Sequence, residues 1–330
     1  MERSLWETSY QGVPVTVLGA TGFIGRWVAR KLCQLGARVQ LIVRDGSTAK
    51  RVFDRYGIQG EVFEVNLADL PAFQRVFNKV KTSITFNLAG YGVDRLETDQ
   101  KAAYQINVSL VEAIAQSVFQ ARDPDWPGRD IVHVGSTAEY GAISGNLSED
   151  SIPNPTSLYG RSKLAGTLAL EQHSQSLGIK GLTARLFSVY GPGEHSGRLL
   201  PLLIQAARSR EPLALTSGEQ MRDFTYVEDV AEGLLRLGVA EARPGQVVNL
   251  ATGKMSSVRR FVAVAGEVLG IPDSCLQFGA IDMPEREMDW ERENVPVAVE
   301  HLHRLTGWLP SIGIEEGVRR TWEFDAGRCR

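Results

Sequence analysis

The chain has 330 residues, 43% of them apolar and 23% charged, with a formal net charge of −3. That composition suits a globular protein with a sizeable core and one large or two modest domains, and the charge balance gives no global footprint for nucleic acid. No apolar run is long enough to cross a bilayer, and Cys33, Cys275 and Cys329 have neither disulfide nor zinc spacing, so no metal and a reducing, cytoplasmic location are expected.

The N-terminal stretch MERSLWETSYQG lacks an apolar signal core and reads as a short polar arm. VPVTVL follows as a first strand, then the turn GATGFIG, then a helix with Val28, Leu32 and Leu35 at helical spacing. ARVQLIVR, VFEVNL, ITFNLA, DIVHVGS and GLTARLF are further strand candidates. Amphipathic stretches at Pro71 to Val80, Lys101 to Ser117 and Ser162 to Leu177 separate them. Strand and helix alternating at this pitch predict a Rossmann-type α/β fold with a doubly wound parallel sheet. ARDPDWPGRD, before the fifth strand, reads as a surface loop.

Beyond about Phe187 the pattern changes to the loop YGPGEHSG, the helices LLPLLIQAARS, VEDVAEGLLRLGVA and VRRFVAVAGEVLG, the strand VVNLAT and a last segment, IEEGVRRTWEF. The expected division is a dinucleotide-binding domain over residues 1–186 and a smaller mixed α/β substrate-binding domain over 187–330. This division leaves room for strands and helices of the second part to return to the first.

Gly19, Gly22 and Gly25 form GxxGxxG between the first strand and helix, with Thr21, Phe23 and Ile24 in the same turn. Glycine there lets a pyrophosphate approach the helix N-terminus, whose free N–H groups favour an anion. A tight turn can want glycine for packing alone; its place at the first βα turn of such a sheet selects the dinucleotide. Arg44 closes the second strand, where an NAD site wants a carboxylate and a 2′-phosphate wants a guanidinium. NADP is therefore preferred, with NAD left open because Asp45 comes next. Asn66, beside Leu67 at the third strand's end, can bond adenine.

Tyr159 and Lys163 stand at i and i+4 of a helix start and share a face. An ammonium lowers the pKa of a neighbouring phenol from about 10 and makes it an acid–base group near neutrality. Ser136, at the carboxyl end of the fifth strand, can bond a substrate oxygen beside that phenol. The bland alternative is a helix surface with a packed tyrosine.

Together GATGFIG, NLAG, QINVSLVEA, GSTAEYG, LYGRSK, RLFSVYGPG, MRDFTYVEDVA and GWLP, spread over nearly the whole chain, resemble an extended short-chain dehydrogenase/reductase of the nucleotide-sugar epimerase/dehydratase family. The resemblance implies that Tyr159 is the acid–base, that Lys163 bonds the nicotinamide ribose and that Ser136 replaces the family's serine or threonine. It implies that Leu88, Ala89 and Gly90 line the cofactor, and that Asn107 is the family's structural asparagine on that side. Thr137, Ala138, Ser188, His195, Arg198, Leu199, Arg222 and Arg286 are then the candidates to face a nucleoside-diphosphate sugar. Arg222-Asp223 has an internal ion pair as its alternative. Ser188 stands where members commonly have asparagine, and PEREMDW, around Arg286, matches the usual run poorly. Members commonly form homodimers through two helices, here after Lys101 and around Tyr159.

Dehydratases of the family carry Thr-Asp-Glu where this chain has Ser136, Thr137 and Ala138, so both carboxylates are missing. Glu139 follows, but one step along an extended segment points a side chain the other way. The expected reaction is reduction of a 4-keto-6-deoxy sugar with Tyr159 as proton donor; a 4-epimerase with tightly held NAD is the alternative. A non-catalytic dinucleotide-binding partner protein is disfavoured by the intact Ser136, Tyr159 and Lys163.

Overall fold

The computed structural model describes residues 4–94, 96–141, 143, 146–282 and 296–327. A short helix α1 (Leu5–Thr8) precedes strands β1 (Pro14–Leu18), β2 (Arg38–Val43), β3 (Glu61–Glu64), β4 (Ile84–Asn87), β5 (Ile131–Ser136) and β6 (Gly181–Leu186). Between them run α2 (Phe23–Gln34), α3 (Gly46–Tyr56), α4 (Leu70–Phe77), α5 (Gln100–Tyr104), α6 (Leu110–Ala121) and α7 (Leu158–Leu177). The remaining elements are β7 (Ser188–Tyr190), α8 (Leu199–Ser209), β8 (Leu213–Leu215), β9 (Met221–Tyr226), α9 (Val227–Val239), β10 (Gln246–Leu250), β11 (Met255–Ser257), α10 (Val258–Leu269), β12 (Leu276–Phe278), α11 (Glu300–Thr306) and α12 (Ile314–Asp325).

Seven parallel strands form one sheet in the order β10-β6-β5-β4-β1-β2-β3. The order reverses between β1 and β4, which opens a crevice at their carboxyl ends where such sheets take ligands. β4 is buried along its whole length, because helices cover both faces of the sheet. On one face α2 and α9 bury Val28, Leu32, Val230 and Leu234; on the other α4 and α6 bury Phe73, Phe77, Leu110 and Ile114. Each such large apolar side chain contributes about 2 kcal/mol by leaving water. β10 and α9 come from the second half of the chain and complete the sheet and its cover. A separate cluster, including Leu203, Tyr226, Phe261 and Val318, holds the small sheets β11-β9-β7 and β12-β8 with α8, α10 and α12.

Two expectations need correction. The N-terminal segment is no polar arm: Tyr10 is fully buried and donates to the Leu235 carbonyl at 2.6 Å. The loop ARDPDWPGRD is anchored, with Trp126 buried against Tyr10 and its Nε1 donating to the Arg129 carbonyl at 2.8 Å. An indole's apolar area outweighed the turn-forming proline and glycine that mark the segment as surface.

Candidate active site

The first glycine turn is built for close approach. Gly19 has φ +78°, and a Cβ there would lie 2.8 Å from the Leu88 carbonyl carbon. A Cβ on Gly25 would lie 2.1 Å from the Gly19 oxygen, so that glycine seats α2 on β1. Gly22 occupies the N-cap of α2 and offers no side-chain cap, which leaves the first-turn N–H groups and the positive helix end for an anion. Thr21, Phe23 and Ile24 are half-buried at this turn, and Arg26 donates to the Thr21 and Gly22 carbonyls at 2.6 and 2.9 Å. These features fit a dinucleotide pyrophosphate. Leu88 and Ala89 follow β4 directly and Gly90 is exposed beyond them.

At the end of β2 the two charged neighbours separate. Arg44 is exposed. Asp45 is the N-cap of α3, accepting from the Ser47 and Thr48 N–H groups and from both hydroxyls; these bonds hold its carboxyl down at about 2. Asn66 is exposed just past β3, its carbonyl oxygen taking the Ala68 N–H at 3.1 Å, and Leu67 packs beneath it.

Ser136 ends β5 and caps the 3₁₀ turn Thr137–Glu139. Gly160 lets the start of α7 come against that turn, since a Cβ there would be 2.3 Å from the Ala138 oxygen. The start of α7, which carries Tyr159 and Lys163, thereby packs against the turn that Ser136 caps. Tyr159 is half-buried, with Gly92 against its ring. Lys163 is buried and donates to the Val134 carbonyl at 2.5 Å. Burial pulls its pKa down to about 8, against the opposing pull of Glu139.

Glu139, expected to point away, is fully buried beneath Ser136. Its residue belongs to a 3₁₀ turn and not to an extended segment, so strand alternation does not apply. One oxygen accepts the Ser136 N–H at 2.7 Å; the other accepts Thr167 Oγ1 at 3.0 Å and Arg185 Nε at 2.9 Å. Arg185 lies over the Tyr140 ring, and the Tyr140 hydroxyl donates to Asn249 on β10 at 2.7 Å.

Asn107 lies in a π-helical turn, Gln105–Ser109, between α5 and α6. It is buried and engages the Tyr91 N–H, the Tyr91 carbonyl and the Ser162 hydroxyl at 2.9 to 3.0 Å. It therefore ties the loop after β4 to α7. His133 is wholly buried beside Lys163; its Nδ1 meets the Asn87 amide at 3.1 Å and its Nε2 has no partner. Burial and then Lys163 hold it well below the usual imidazole range, so it is neutral.

On the substrate side, Ser188 opens β7, Arg198 is the N-cap of α8 and Leu199 its first residue. Thr137 is buried and its Oγ1 has no partner, while Ala138 is half-buried. His195 is exposed, with Nε2 3.7 Å from Asp94 Oδ2. Arg222 donates to the Met221 carbonyl, while Asp223 is buried and takes bonds from Thr225, Thr252 and Lys254. Arg286 lies outside the described residues. Sequence reasoning passed over Glu194 in the 191–198 loop, whose side chain is 9% exposed and whose Oε2 has no partner. Among the described residues no cluster of histidine, cysteine or carboxylate side chains suits a metal ion.

The sequence profile of the NAD dependent epimerase/dehydratase family matches residues 15–251. The chain belongs to this family. It is 31% identical over 316 residues to dTDP-6-deoxy-L-talose 4-dehydrogenase (NAD(P)(+)) from Kitasatospora kifunensis, covering 93% of this chain and 94% of that one. It is 27% identical over 322 residues to UDP-glucose 4-epimerase from Mycolicibacterium smegmatis, covering 93% and 97%. The fold superposes on UDP-N-acetylglucosamine 4-epimerase from Methanobrevibacter ruminantium with TM-score 0.83 at 21% identity, over 97% of this chain and all (100%) of that one. The protein is thus a nucleotide-sugar-modifying, NAD-dependent enzyme of this family. No helix among the described residues is long and apolar enough to cross a membrane.

Proposed function

We propose that the protein reduces a 4-keto-6-deoxyhexose carried on a nucleoside diphosphate, with NADPH as the preferred cofactor. The end of β2 carries this reading. Arg44 is exposed there, whereas the Asp45 carboxylate is engaged in capping α3. A guanidinium suits a 2′-phosphate, and a carboxylate already holding four donors is a poor acceptor for a ribose diol. The end-to-end match to a relative named for C4 oxidation of a 6-deoxy sugar, with NAD(P)(+), supports the same reading.

Gly19, Thr21, Gly22, Phe23, Ile24 and Gly25 would hold the pyrophosphate, and Arg44, Asn66 and Leu67 the adenosine end. Leu88, Ala89 and Gly90, braced by Asn107, would hold the nicotinamide side with Lys163. When bound, the reduced dinucleotide supplies the hydride. The Ser136 hydroxyl fixes the ketone oxygen, the Tyr159 phenol donates its proton to that oxygen, and the Lys163 ammonium favours loss of that proton. Thr137, Ala138, Ser188, His195, Arg198, Leu199, Arg222 and Arg286 are assigned to the sugar and its diphosphate. The buried Thr137 hydroxyl has no protein partner and suits a sugar oxygen. In this reading residues 1–186 bind the dinucleotide, residues 187–330 the sugar nucleotide, and the site works in the cytoplasm. Two copies pair through the outer faces of α6 and α7, where Phe119 and Leu168 are exposed.

Releasing any retained nucleotide with acid and identifying it by mass comes first. Offering NADPH with dTDP-, GDP-, CDP- and UDP-4-keto-6-deoxy sugars then tests the reaction. One NADPH consumed per sugar reduced is expected. Retained NAD, no net consumption and a product inverted at C4 would replace this reading with the epimerase.

A further inference from the structure

We infer that Glu139 is a positioning residue of the site, a buried carboxylate that fixes the backbone of Ser136 and keeps Lys163 in its ammonium form. It deepens the proposed reaction and rests on Lys163 binding the dinucleotide.

The argument begins with where the carboxylate sits. Gly135 makes room for it: a Cβ there would lie 2.6 Å from Glu139 Oε1. The same oxygen takes the Ser136 N–H at 2.7 Å, so the residue that presents the site hydroxyl is held from beneath. Oε2 reaches Thr167 on α7 at 3.0 Å. Thr167 is one turn beyond Lys163 and on the same helix face. Lys163 Nζ in turn bonds the carbonyl of Val134, the residue before Gly135. Ammonium and carboxylate therefore bond β5 two positions apart, at Val134 and Ser136, and share one face of α7 in a region closed to water.

The charges around Lys163 are few. His133 on β5 is neutral, Asn87 on β4 is uncharged, and Tyr159 on α7 is a phenol. Arg185 on β6 carries a positive charge but faces Glu139, at 2.9 Å. Among the described residues, Glu139 is the one charge that supports the ammonium against burial. An isolated buried ammonium releases its proton and leaves a neutral amine. Such an amine neither favours the phenolate of Tyr159 nor binds ribose hydroxyls as a cation does.

The test follows NADPH and NADH affinity by tryptophan quenching across the neutral and alkaline range, with thermal unfolding measured alongside. Wild type is expected to lose affinity as pH rises through about 8. Glu139→Gln should start losing it about one pH unit lower, the scale of removing one opposite charge. Glu139→Asp, which keeps the charge, should keep the wild-type onset. Glu139→Gln/Arg185→Gln removes both buried charges and should recover unfolding temperature but keep the low onset. A merely structural ion pair predicts the opposite, a wild-type onset in the double variant. That result, or a Glu139→Gln variant with wild-type onset, would overturn the inference. Failure to reduce any keto sugar would instead reject the proposed reaction, while the pH dependence of dinucleotide binding still decides the role of Glu139.

Discussion

Replacing Glu194 by glutamine should stabilise the protein at alkaline pH and leave it unchanged in acid. The carboxyl of Glu194 is nearly enclosed, Oε2 has no partner, and Arg198 Nε stands 3.9 Å from Oε1 on a half-exposed side chain. Burial raises its pKa from 4.5 to about 8, with Arg198 and the Gly191 backbone pulling weakly the other way. The folded protein therefore holds a proton that the unfolded chain has released. The stability that this proton contributes is fully present below 4.5 and is lost as pH rises to about 8. The difference of the two values amounts to about 5 kcal/mol. A glutamine amide fills the same space and has no proton to lose. Urea and thermal unfolding of wild type and Glu194→Gln, compared at matched pH, isolate this one group from every other titration. The variant should match wild type near pH 4.5 and exceed it above pH 8, with a midpoint higher by about 2 °C per kcal/mol. A difference that does not change with pH, or a variant no more stable in alkali, would refute the reasoning.

Tyr159→Phe should lower turnover by about 10²- to 10⁴-fold, the usual worth of a positioned acid, with unchanged dinucleotide affinity and unfolding midpoint; calorimetry and steady-state rates check this. Arg44→Ala should lower the preference for NADPH over NADH by about 30-fold, corresponding to one charge-assisted bond of about 2 kcal/mol; kcat/KM ratios for the two cofactors read it directly. Gly25→Ala places a methyl 2.1 Å from the Gly19 oxygen and should cost about 3 kcal/mol, seen as a lower urea midpoint together with weakened dinucleotide binding. Arg185→Met leaves the fully buried Glu139 carboxylate without its ionic partner and should destabilise by about 3 to 5 kcal/mol, a loss that Glu139→Gln in the same chain relieves.

Much of the site is readable from local pattern, because the dinucleotide turn and the Tyr159–Lys163 pair depend on spacing within a few residues. Gly19, Gly22 and Gly25 sit between a strand and a helix, and α7 places Tyr159 and Lys163 on one face whatever surrounds it. The six strands of the first half were likewise legible, since parallel strands covered on both faces leave apolar runs in the chain. Side-chain direction outside regular elements was not. Glu139 turns inward only because a 3₁₀ turn follows β5 and Arg185 arrives on β6, 46 positions away. Asp45 is engaged in capping only because α3 starts on it, a helix that the sequence pattern did not mark. Trp126 and Tyr10 are buried by each other, across more than a hundred residues of chain. By itself the amino-acid order determined the alternation of strands and helices, the glycine turn after β1 and the shared helix face of Tyr159 and Lys163, all short-range properties of the chain. Only the tertiary structure decided the place of β10 at the sheet edge beside β6, the burial of Glu139 and Glu194 and the lowered pKa of Lys163. Those follow from desolvation and from charges brought together by distant segments, which no local pattern encodes.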